Sequence, residues 1–156
     1  MQYEVVKSFS NNAPMGFVMA DLDYFKRIND SYGHPVGDRL LIEFSLLLKE
    51  MIRDSDDWIV RYGGEEFLIF ISSVDKEALI RKVESIRKKV ENNIFCENDF
   101  KIRITSSFGL YSGIAEEVLD LEKSKVYIKY ADDALYNSKN TGKNKVSYYS
   151  EELVNL

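Results

Sequence analysis

The chain has 156 residues, of which 45% are hydrophobic, and a formal charge of −5 at pH 7. A chain of this size can bury a sizeable core, and we predict one domain over residues 1–156. The net negative charge argues against a nucleic-acid scaffold, so we expect no nucleic-acid partner. The single cysteine and the single histidine exclude a disulfide framework within the chain and a metal centre built from several cysteines or histidines.

No apolar run approaches the ~20 residues that cross a membrane, and the first residues lack the pattern of a signal peptide. We therefore expect no membrane contact by this domain. The cytoplasm is the expected location, with the domain either free or forming the cytoplasmic part of a membrane-anchored protein.

The first half of the chain predicts a strand, two helices and a hairpin. A buried strand covers residues 16–20 and runs into the acidic stretch 21–23. A short helix is expected over residues 24–31 and a long amphipathic helix over residues 35–53. The hairpin occupies residues 57–72.

The second half predicts alternating helices and strands. A helix over residues 75–92 is followed by one long strand over residues 100–110. A polar loop with a helical turn is expected over residues 112–124, then a helix over residues 127–140 and a closing strand over residues 145–149.

Without the short second element, this order is βαββαβ, the split βαβ arrangement of ferredoxin-like sheets. We predict an α+β fold with a βααββαβ core, in which the helices lie on one face of a ferredoxin-like, polymerase-palm-like antiparallel sheet. In that topology the first strand and the hairpin are neighbours. Asp21, at the end of the first strand, is then expected beside the hairpin turn at Glu65.

The hairpin turn carries two acids that need an explanation. Gly63-Gly64 separates the apolar runs 58–60 and 67–71, and glycine supplies positive φ cheaply at both turn positions. Neither a core nor a hairpin needs Glu65-Glu66 there. One reading is chance acids on an ordinary hairpin. The other is a metal site shared with Asp21, because carboxylate oxygens suit Mg²⁺ or Mn²⁺ and such sites perform phosphoryl or nucleotidyl transfer.

Several stretches resemble the GGDEF family, the diguanylate cyclases. Arg61-Tyr62-Gly63-Gly64-Glu65-Glu66-Phe67 matches the family's signature, and residues 21–34 with Gly37-Asp38 resemble its second signature. The resemblance extends over residues 17–149 and includes the stretches 131–136 and 139–144. It implies that the protein condenses two GTP molecules into cyclic di-GMP and releases two pyrophosphates.

The resemblance also implies the catalytic and metal-binding roles. Asp21 and Glu65 correspond to ligands of Mg²⁺ (or Mn²⁺), with the Leu22 carbonyl completing the set. Glu66 corresponds to the second active-site acid. Asp21, Glu65 and Glu66 are thus the expected catalytic residues, and whether Glu65 or Glu66 assists deprotonation of the attacking 3′-hydroxyl stays open.

The other matches are substrate contacts. Asn29 and Asp38 correspond to the pair that reads guanine, and a carboxylate that accepts from guanine N1–H and N2–H is sound hydrogen-bond chemistry. The turn from the first strand into the short helix presents free N–H groups to an anion. The expected phosphate contacts are Tyr24, Phe25, Lys26, Lys139 and Lys143.

Each polar contact also has a plainer alternative. Asp38 can be a helix N-cap, Lys26 a solvated surface lysine, and Lys139 and Lys143 cations that favour the end of a helix dipole. Lys143 stands where the family usually has arginine, so the charge is kept but the bidentate geometry is lost.

The resemblance implies a homodimer, because each subunit would hold one GTP, and an upstream sensory or receiver domain in the parent chain. Family members usually carry a helix and a Leu-Thr-Gly-Leu…Asn-Arg segment before the first strand. Only residues 1–15 precede it here, so we expect a trimmed or shortened form. The alternative function is a non-catalytic module that binds GTP or a cyclic dinucleotide, and the intact acids favour the enzyme.

Many family members also bind their own product through an Arg-x-x-Asp motif shortly before Gly-Gly. Here Asp57 matches the acidic position, but Asp54 replaces the arginine and Arg53 is one residue away. Near a helix end, a shift of one residue turns a side chain by ~100°. We therefore expect no product-inhibition site.

Overall fold

A computed structural model describes residues 13–52, 55–97, 99–114 and 121–150. Within these residues the strands are β1 (Pro14–Leu22), β2 (Trp58–Gly63), β3 (Glu66–Ser72), β4 (Phe95–Glu97), β5 (Phe100–Ile102), β6 (Ser106–Ile114) and β7 (Val146–Tyr148). The helices are α1 (Phe25–Tyr32), α2 (His34–Lys49), α3 (Lys76–Asn92) and α4 (Leu121–Asn140). None of the helices in these ranges is long and apolar enough to cross a membrane.

Five strands form one sheet in the order β2-β3-β1-β6-β7, and β4 pairs with β5 in a separate small hairpin. The first four strands in this order run antiparallel in the ferredoxin-like arrangement, which confirms the predicted α+β fold. The fifth strand, β7, runs parallel to β6, so the whole sheet is mixed.

Helices cover both faces of the sheet, and the prediction of a single helical face was wrong. Alternate residues of β1 point to opposite sides: Val18 and Ala20 pack with α2 and α3, while Phe17 and Met19 pack with α4. Every residue of β1 except Pro14 is buried. A continuous apolar run of this kind is typical of a strand that is covered on both faces.

Helix α4 lies directly on the backbone of β6. A Cβ atom at Gly109 would overlap the Ala131 carbonyl oxygen and the Leu135 backbone nitrogen, so glycine permits this close approach. Because α4 runs on past this contact, its last turn, with Lys139, reaches the end of β1.

Three predicted boundaries changed. The long strand expected over residues 100–110 is interrupted at residues 103–105, because Thr105 bonds to the end of β1: its carbonyl accepts from the Asp23 N–H at 2.9 Å. Helix α4 begins at Leu121, within the expected loop, and α2 ends at Lys49. The predicted cap of α3 is confirmed, since the Asp75 carboxylate accepts from the Ala78 N–H at 2.7 Å.

Candidate active site

The end of β1 and the tip of the β2–β3 hairpin meet, as the topology led us to expect. Asp21 is paired with Glu66 across the β1–β3 ladder. The predicted Gly63-Gly64 turn was wrong by one residue: Gly63 pairs with Glu66, which leaves Gly64 and Glu65 as the turn, and the positive φ falls at Gly64 (45°). The Arg61 guanidinium donates to the Gly64 carbonyl at 2.7 Å and so braces the turn that carries Glu65.

Asp21 is the most electrostatically unusual group at this end of the sheet. Its side chain is 2% exposed, and burial raises the pKa of its carboxyl from 3.8 to about 6. Lys139 donates to Asp21 Oδ2 at 2.6 Å and acts in the opposite direction, while the negative charges of Glu65 and Glu66 raise the pKa further. The last turn of α4 and the hairpin tip therefore both act on the same carboxylate.

Asp23 lies two residues further on and has a different environment. It is 1% exposed, and its carboxylate accepts from Thr105 Oγ1 at 2.7 Å, from Ser107 Oγ at 2.7 Å and from the Asn144 backbone N–H at 2.9 Å. Three donors satisfy this carboxylate from within the protein. Asp23 therefore has a structural role, since it joins the end of β1 to Thr105, Ser107 and Asn144, and its carboxylate is not available to a ligand.

The start of α1 presents backbone N–H groups. Tyr24 precedes the helix in the left-handed conformation (φ 59°), and no side chain caps the helix. The N–H groups of Phe25 and Lys26 lie in the first turn, where helices lack internal partners. The Phe25 ring is buried in the core, so only its backbone faces the site, and the Lys26 side chain is exposed.

Asn29 and Asp38 lie on facing helices, α1 and α2. Asn29 Oδ1 is buried and has no hydrogen-bond partner. It lies against Gly37, where any Cβ atom would overlap it, so glycine is required beside it. Asp38 is exposed and lies inside α2, which begins at His34 with Gly33 (φ 86°) as its cap, so the N-cap alternative for Asp38 was wrong. The sequence analysis missed the role of Gly37, although its position beside Asp38 was the available signal.

Lys143 stands opposite the start of α1. Its ammonium lies 5.0 Å from the centroid of the Tyr24 ring, and the Arg27 guanidinium lies 4.8 Å from the same centroid. Two of the three expected lysines therefore have defined contacts at this end of the sheet: Lys139 on Asp21 and Lys143 on Tyr24.

The acids at this end fit a divalent cation. Within the part of the chain that the structure describes, Glu65 and Glu66 make no side-chain hydrogen bond or ion pair, and Asp21 makes only the bond from Lys139. No three Asp, Glu, His or Cys side chains of those residues cluster as a complete metal site. The groups that can hold such an ion are the Asp21 and Glu65 carboxylates and the Leu22 carbonyl, since Mg²⁺ and Mn²⁺ prefer hard oxygen ligands.

Asp57, the one residue that matches the Arg-x-x-Asp motif, lies at the opposite end of the sheet from Asp21. Asp57 is buried, and its Oδ1 accepts from the Ser72 backbone N–H at 2.8 Å and from Ser72 Oγ at 2.9 Å. Arg53 and Asp54 lie outside the described residues. A cavity of about 540 Å³ adjoins Asp57, and the basic residues that line it are Arg81, Lys82 and Lys89.

Known proteins resemble this chain in sequence and in fold. The family profile "Diguanylate cyclase, GGDEF domain" matches residues 2–145. The chain is 36% identical to Diguanylate cyclase A of Treponema denticola over 151 residues, which is 97% of this chain and 39% of that protein. It is 35% identical to Diguanylate cyclase DgcZ of Escherichia coli, over 88% of this chain and 44% of that protein. The chain thus spans less than half the length of these two relatives.

Solved structures give the same picture. The active GGEEF domain of a diguanylate cyclase from Vibrio cholerae is 29% identical, with a TM-score of 0.78 over 89% of this chain and 85% of that chain. The GGDEF domain of DgcB from Caulobacter crescentus, solved in complex with c-di-GMP, is 26% identical, with a TM-score of 0.77 over 86% of this chain and 77% of that chain.

Proposed function

The chain belongs to the GGDEF family of diguanylate cyclase domains, and on that premise we propose that it condenses two GTP molecules into cyclic di-GMP. The observation that carries the proposal is the environment of Asp21. A buried carboxylate with a raised pKa is surrounded by two more acids from the hairpin and one lysine from α4. Residues 1–156 act as a single domain in this reaction.

Guanine is held between α1 and α2. The unpartnered Oδ1 of Asn29 accepts one N–H of the base, and Asp38 accepts from N1–H and N2–H. The support for this assignment is that Asn29 offers a buried acceptor with nothing in the protein to satisfy it, which is unfavourable until a ligand donates to it.

The triphosphate is held by backbone and lysine donors. The N–H groups at the start of α1, from Tyr24 to Lys26, face the anion, and the Lys26 side chain adds a positive charge. Lys139 and Lys143 approach from the end of α4 and the loop that follows it. Lysine contributes charge without the two-pronged geometry of arginine, so Lys143 holds a phosphate less rigidly than an arginine would.

Asp21, Glu65 and the Leu22 carbonyl are the residues that would hold Mg²⁺ or Mn²⁺. When bound, such an ion would supply positive charge against the negative charge of the transferring phosphoryl group and of the pyrophosphate. The same charge would offset the repulsion among Asp21, Glu65 and Glu66, of which only Asp21 has a cationic partner, Lys139.

The reaction joins the 3′-oxygen of one nucleotide to the α-phosphorus of the other. The 3′-hydroxyl loses its proton, the new O–P bond forms, and the bond to the bridging oxygen breaks as pyrophosphate leaves. Either Glu65 or Glu66 accepts the proton, and both carboxylates lie at the hairpin tip, close enough for their charges to raise the pKa of Asp21.

Two such bonds close one cyclic product, and each domain has one set of these residues. Turnover therefore requires a homodimer in which two domains present their GTP molecules to each other. Since the chain spans less than half the length of the curated relatives, we further propose that a sensory or receiver domain lies upstream in the parent chain and controls this encounter. Because GTP is a nucleotide of the cytoplasm, we propose that the domain works there.

The test is to incubate the purified chain with GTP and Mg²⁺ and to look for cyclic di-GMP by chromatography, with Glu65→Gln as the control. Product from the wild-type chain alone supports the proposal. Bound GTP without product would instead favour the non-catalytic binding module, and a chain that binds no GTP would overturn both.

A further inference from the structure

The loop between α4 and β7 has an unusual backbone. Gly142, Lys143 and Asn144 follow one another with positive φ angles of 120°, 61° and 47°. Glycine adopts such angles readily and asparagine tolerates them, but for lysine the left-handed conformation is unfavourable and persists only where surrounding contacts hold it. Something must therefore fix this turn.

The contacts that fix it converge on Asn144. Its backbone N–H donates to Asp23 Oδ2 at 2.9 Å, its side-chain Nδ2 donates to Glu91 Oε1 at 2.7 Å, and its Oδ1 accepts from Arg87 Nη1 at 2.7 Å. The same Arg87 nitrogen also lies 3.4 Å from the Asn144 carbonyl oxygen. The turn is thus tied to β1 on one side and to α3 on the other.

Arg87 is itself held rigidly on α3. It is 9% exposed, and its guanidinium donates to Glu84 at 2.7 Å and to Glu91 at 3.0 Å. These acids, Glu84 above all, raise the pKa of Arg87, and Asn144 followed by Arg87 lowers the pKa of Glu91. Charge-assisted hydrogen bonds therefore join Arg87, Glu84, Glu91 and Asn144 and restrict their geometry.

The turn carries the Lys143 ammonium to its place over the Tyr24 ring, beside the start of α1. We propose that Arg87 and Asn144 are positioning residues, which hold the 142–144 turn left-handed so that Lys143 faces the triphosphate. This inference rests on the proposed function, because it assigns the network to the same nucleotide site. A lysine that lacks the fork of arginine depends more on such external positioning.

The competing explanation is purely structural: the network ties α3 to the α4–β7 loop and supports the fold alone. The two explanations differ in what they predict for ligands of different phosphate length. A positioning role alters affinity for a triphosphate and leaves a monophosphate nearly unchanged. A structural role lowers thermal stability and moves both affinities together or neither.

The experiment measures GMP and a non-hydrolysable GTP analogue with Mg²⁺ by calorimetry, together with the melting temperature. For Arg87→Gln we expect roughly tenfold weaker binding of the GTP analogue and a GMP affinity within about twofold of wild type. Asn144→Gly removes the side-chain hydrogen bonds but keeps a residue that adopts the left-handed conformation without steric cost. We expect this variant to fold even if Arg87→Gln does not, and to show the same selective loss.

Lys89→Met is the matched control. Lys89 lies on the same helix and pairs with Glu50, so this variant breaks another tie of α3 without touching the turn. We expect its ratio of the two affinities to equal that of wild type. An unchanged ratio in Asn144→Gly would overturn the positioning role alone, provided that the wild-type chain binds the GTP analogue. A wild-type chain that binds neither nucleotide would overturn the proposed function and this inference with it.

Discussion

Asp21 and Asp23 lie two residues apart at the end of β1, and both are almost completely buried, at 2% and 1% exposure. Asp23 accepts three hydrogen bonds from other parts of the protein, whereas Asp21 has one lysine and two neighbouring acids. Burial alone therefore does not identify a functional carboxylate. The distinguishing property is whether the protein itself satisfies the charge.

The same distinction applies elsewhere. Asp57 is satisfied internally by Ser72, while Asp38 is exposed on the first turns of α2. On the proposed function, the acids that the protein satisfies hold the fold together, and the others are those proposed to bind the ion or the substrate. Each of the following experiments challenges that division.

The largest effect is expected for Asp21→Asn. The amide keeps the shape but removes the charge that the metal requires, so we expect turnover to fall by at least ~10³-fold. Initial rates of cyclic di-GMP formation measure this loss. The melting temperature should be unchanged or higher, since a buried charge is removed. A variant that retains more than a tenth of the activity would place the metal elsewhere.

The next effect concerns the base. Adenine offers an acceptor at N1 where Asp38 needs a donor, and an unpaired carboxylate costs on the order of 2–4 kcal/mol. We therefore expect GTP to bind much more tightly than ATP in calorimetry. Asp38→Ala should weaken GTP without improving ATP. Equal affinities for the two nucleotides in the wild-type chain would contradict the assignment of Asp38.

The variant Asp23→Asn is expected to lose stability. The amide nitrogen would face the Thr105 hydroxyl and the Asn144 N–H, and the loss of these bonds is expected to lower the free energy of unfolding by ~2–3 kcal/mol. Urea denaturation measures this change. The control is Asp133→Asn, which breaks an exposed ion pair with Lys129 and should cost less than ~0.5 kcal/mol. Equal stabilities of the two variants would contradict the structural role of Asp23.

How far the sequence could predict this division is instructive. The spacing of acids and apolar runs was enough to predict that Asp21 lies beside the hairpin. A shift of one residue in strand register would turn the apolar side chains away from the core, so few registers are possible. The spacing could not separate Asp21 from Asp23, since the donor that completes the Asp23 site, Asn144, lies far along the chain. Asp38 was wrongly considered as an N-cap because the sequence alone does not fix where α2 begins. The structure shows that the helix begins at His34, after Gly33 with its positive φ.

The helix on the second face of the sheet was missed for a related reason. The apolar run of β1 shows that both faces are buried, but it does not show which helix covers which face. That choice depends on Gly109, where α4 approaches the β6 backbone. A lone glycine within a predicted strand does not identify its neighbour.

A smaller effect is expected from pH in the absence of metal. The pKa of Asp21 is raised from 3.8 to about 6, so the folded state binds this proton more readily than the unfolded state. The resulting stability is present below pH 3.8 and is lost as the pH rises to about 6, on the order of 2 kcal/mol. Urea denaturation in EDTA from pH 4 to 7 should show wild type losing stability relative to Asp21→Asn. Parallel stability profiles of the two proteins would contradict the raised pKa of Asp21.

The smallest expected effect is that of the product. The Asp57 carboxylate already accepts hydrogen bonds from Ser72, and position 54 is not an arginine. We therefore expect cyclic di-GMP to cause no submicromolar inhibition. The test follows initial rates and, separately, heat release during titration. Tight binding that disappears in Arg53→Ala would reveal a shifted motif, and binding that disappears in Arg81→Ala would place the product in the neighbouring cavity.

The most direct test of the division between satisfied and unsatisfied carboxylates is a crystal structure with Mn²⁺ and a non-hydrolysable GTP analogue, in which anomalous scattering locates the ion. We expect the ion on the Asp21 and Glu65 carboxylates and the Leu22 carbonyl, with Asp23 still bonded to Thr105, Ser107 and Asn144. Bound nucleotide with the ion on Asp23, or with Asp21 still paired only to Lys139, would contradict the account.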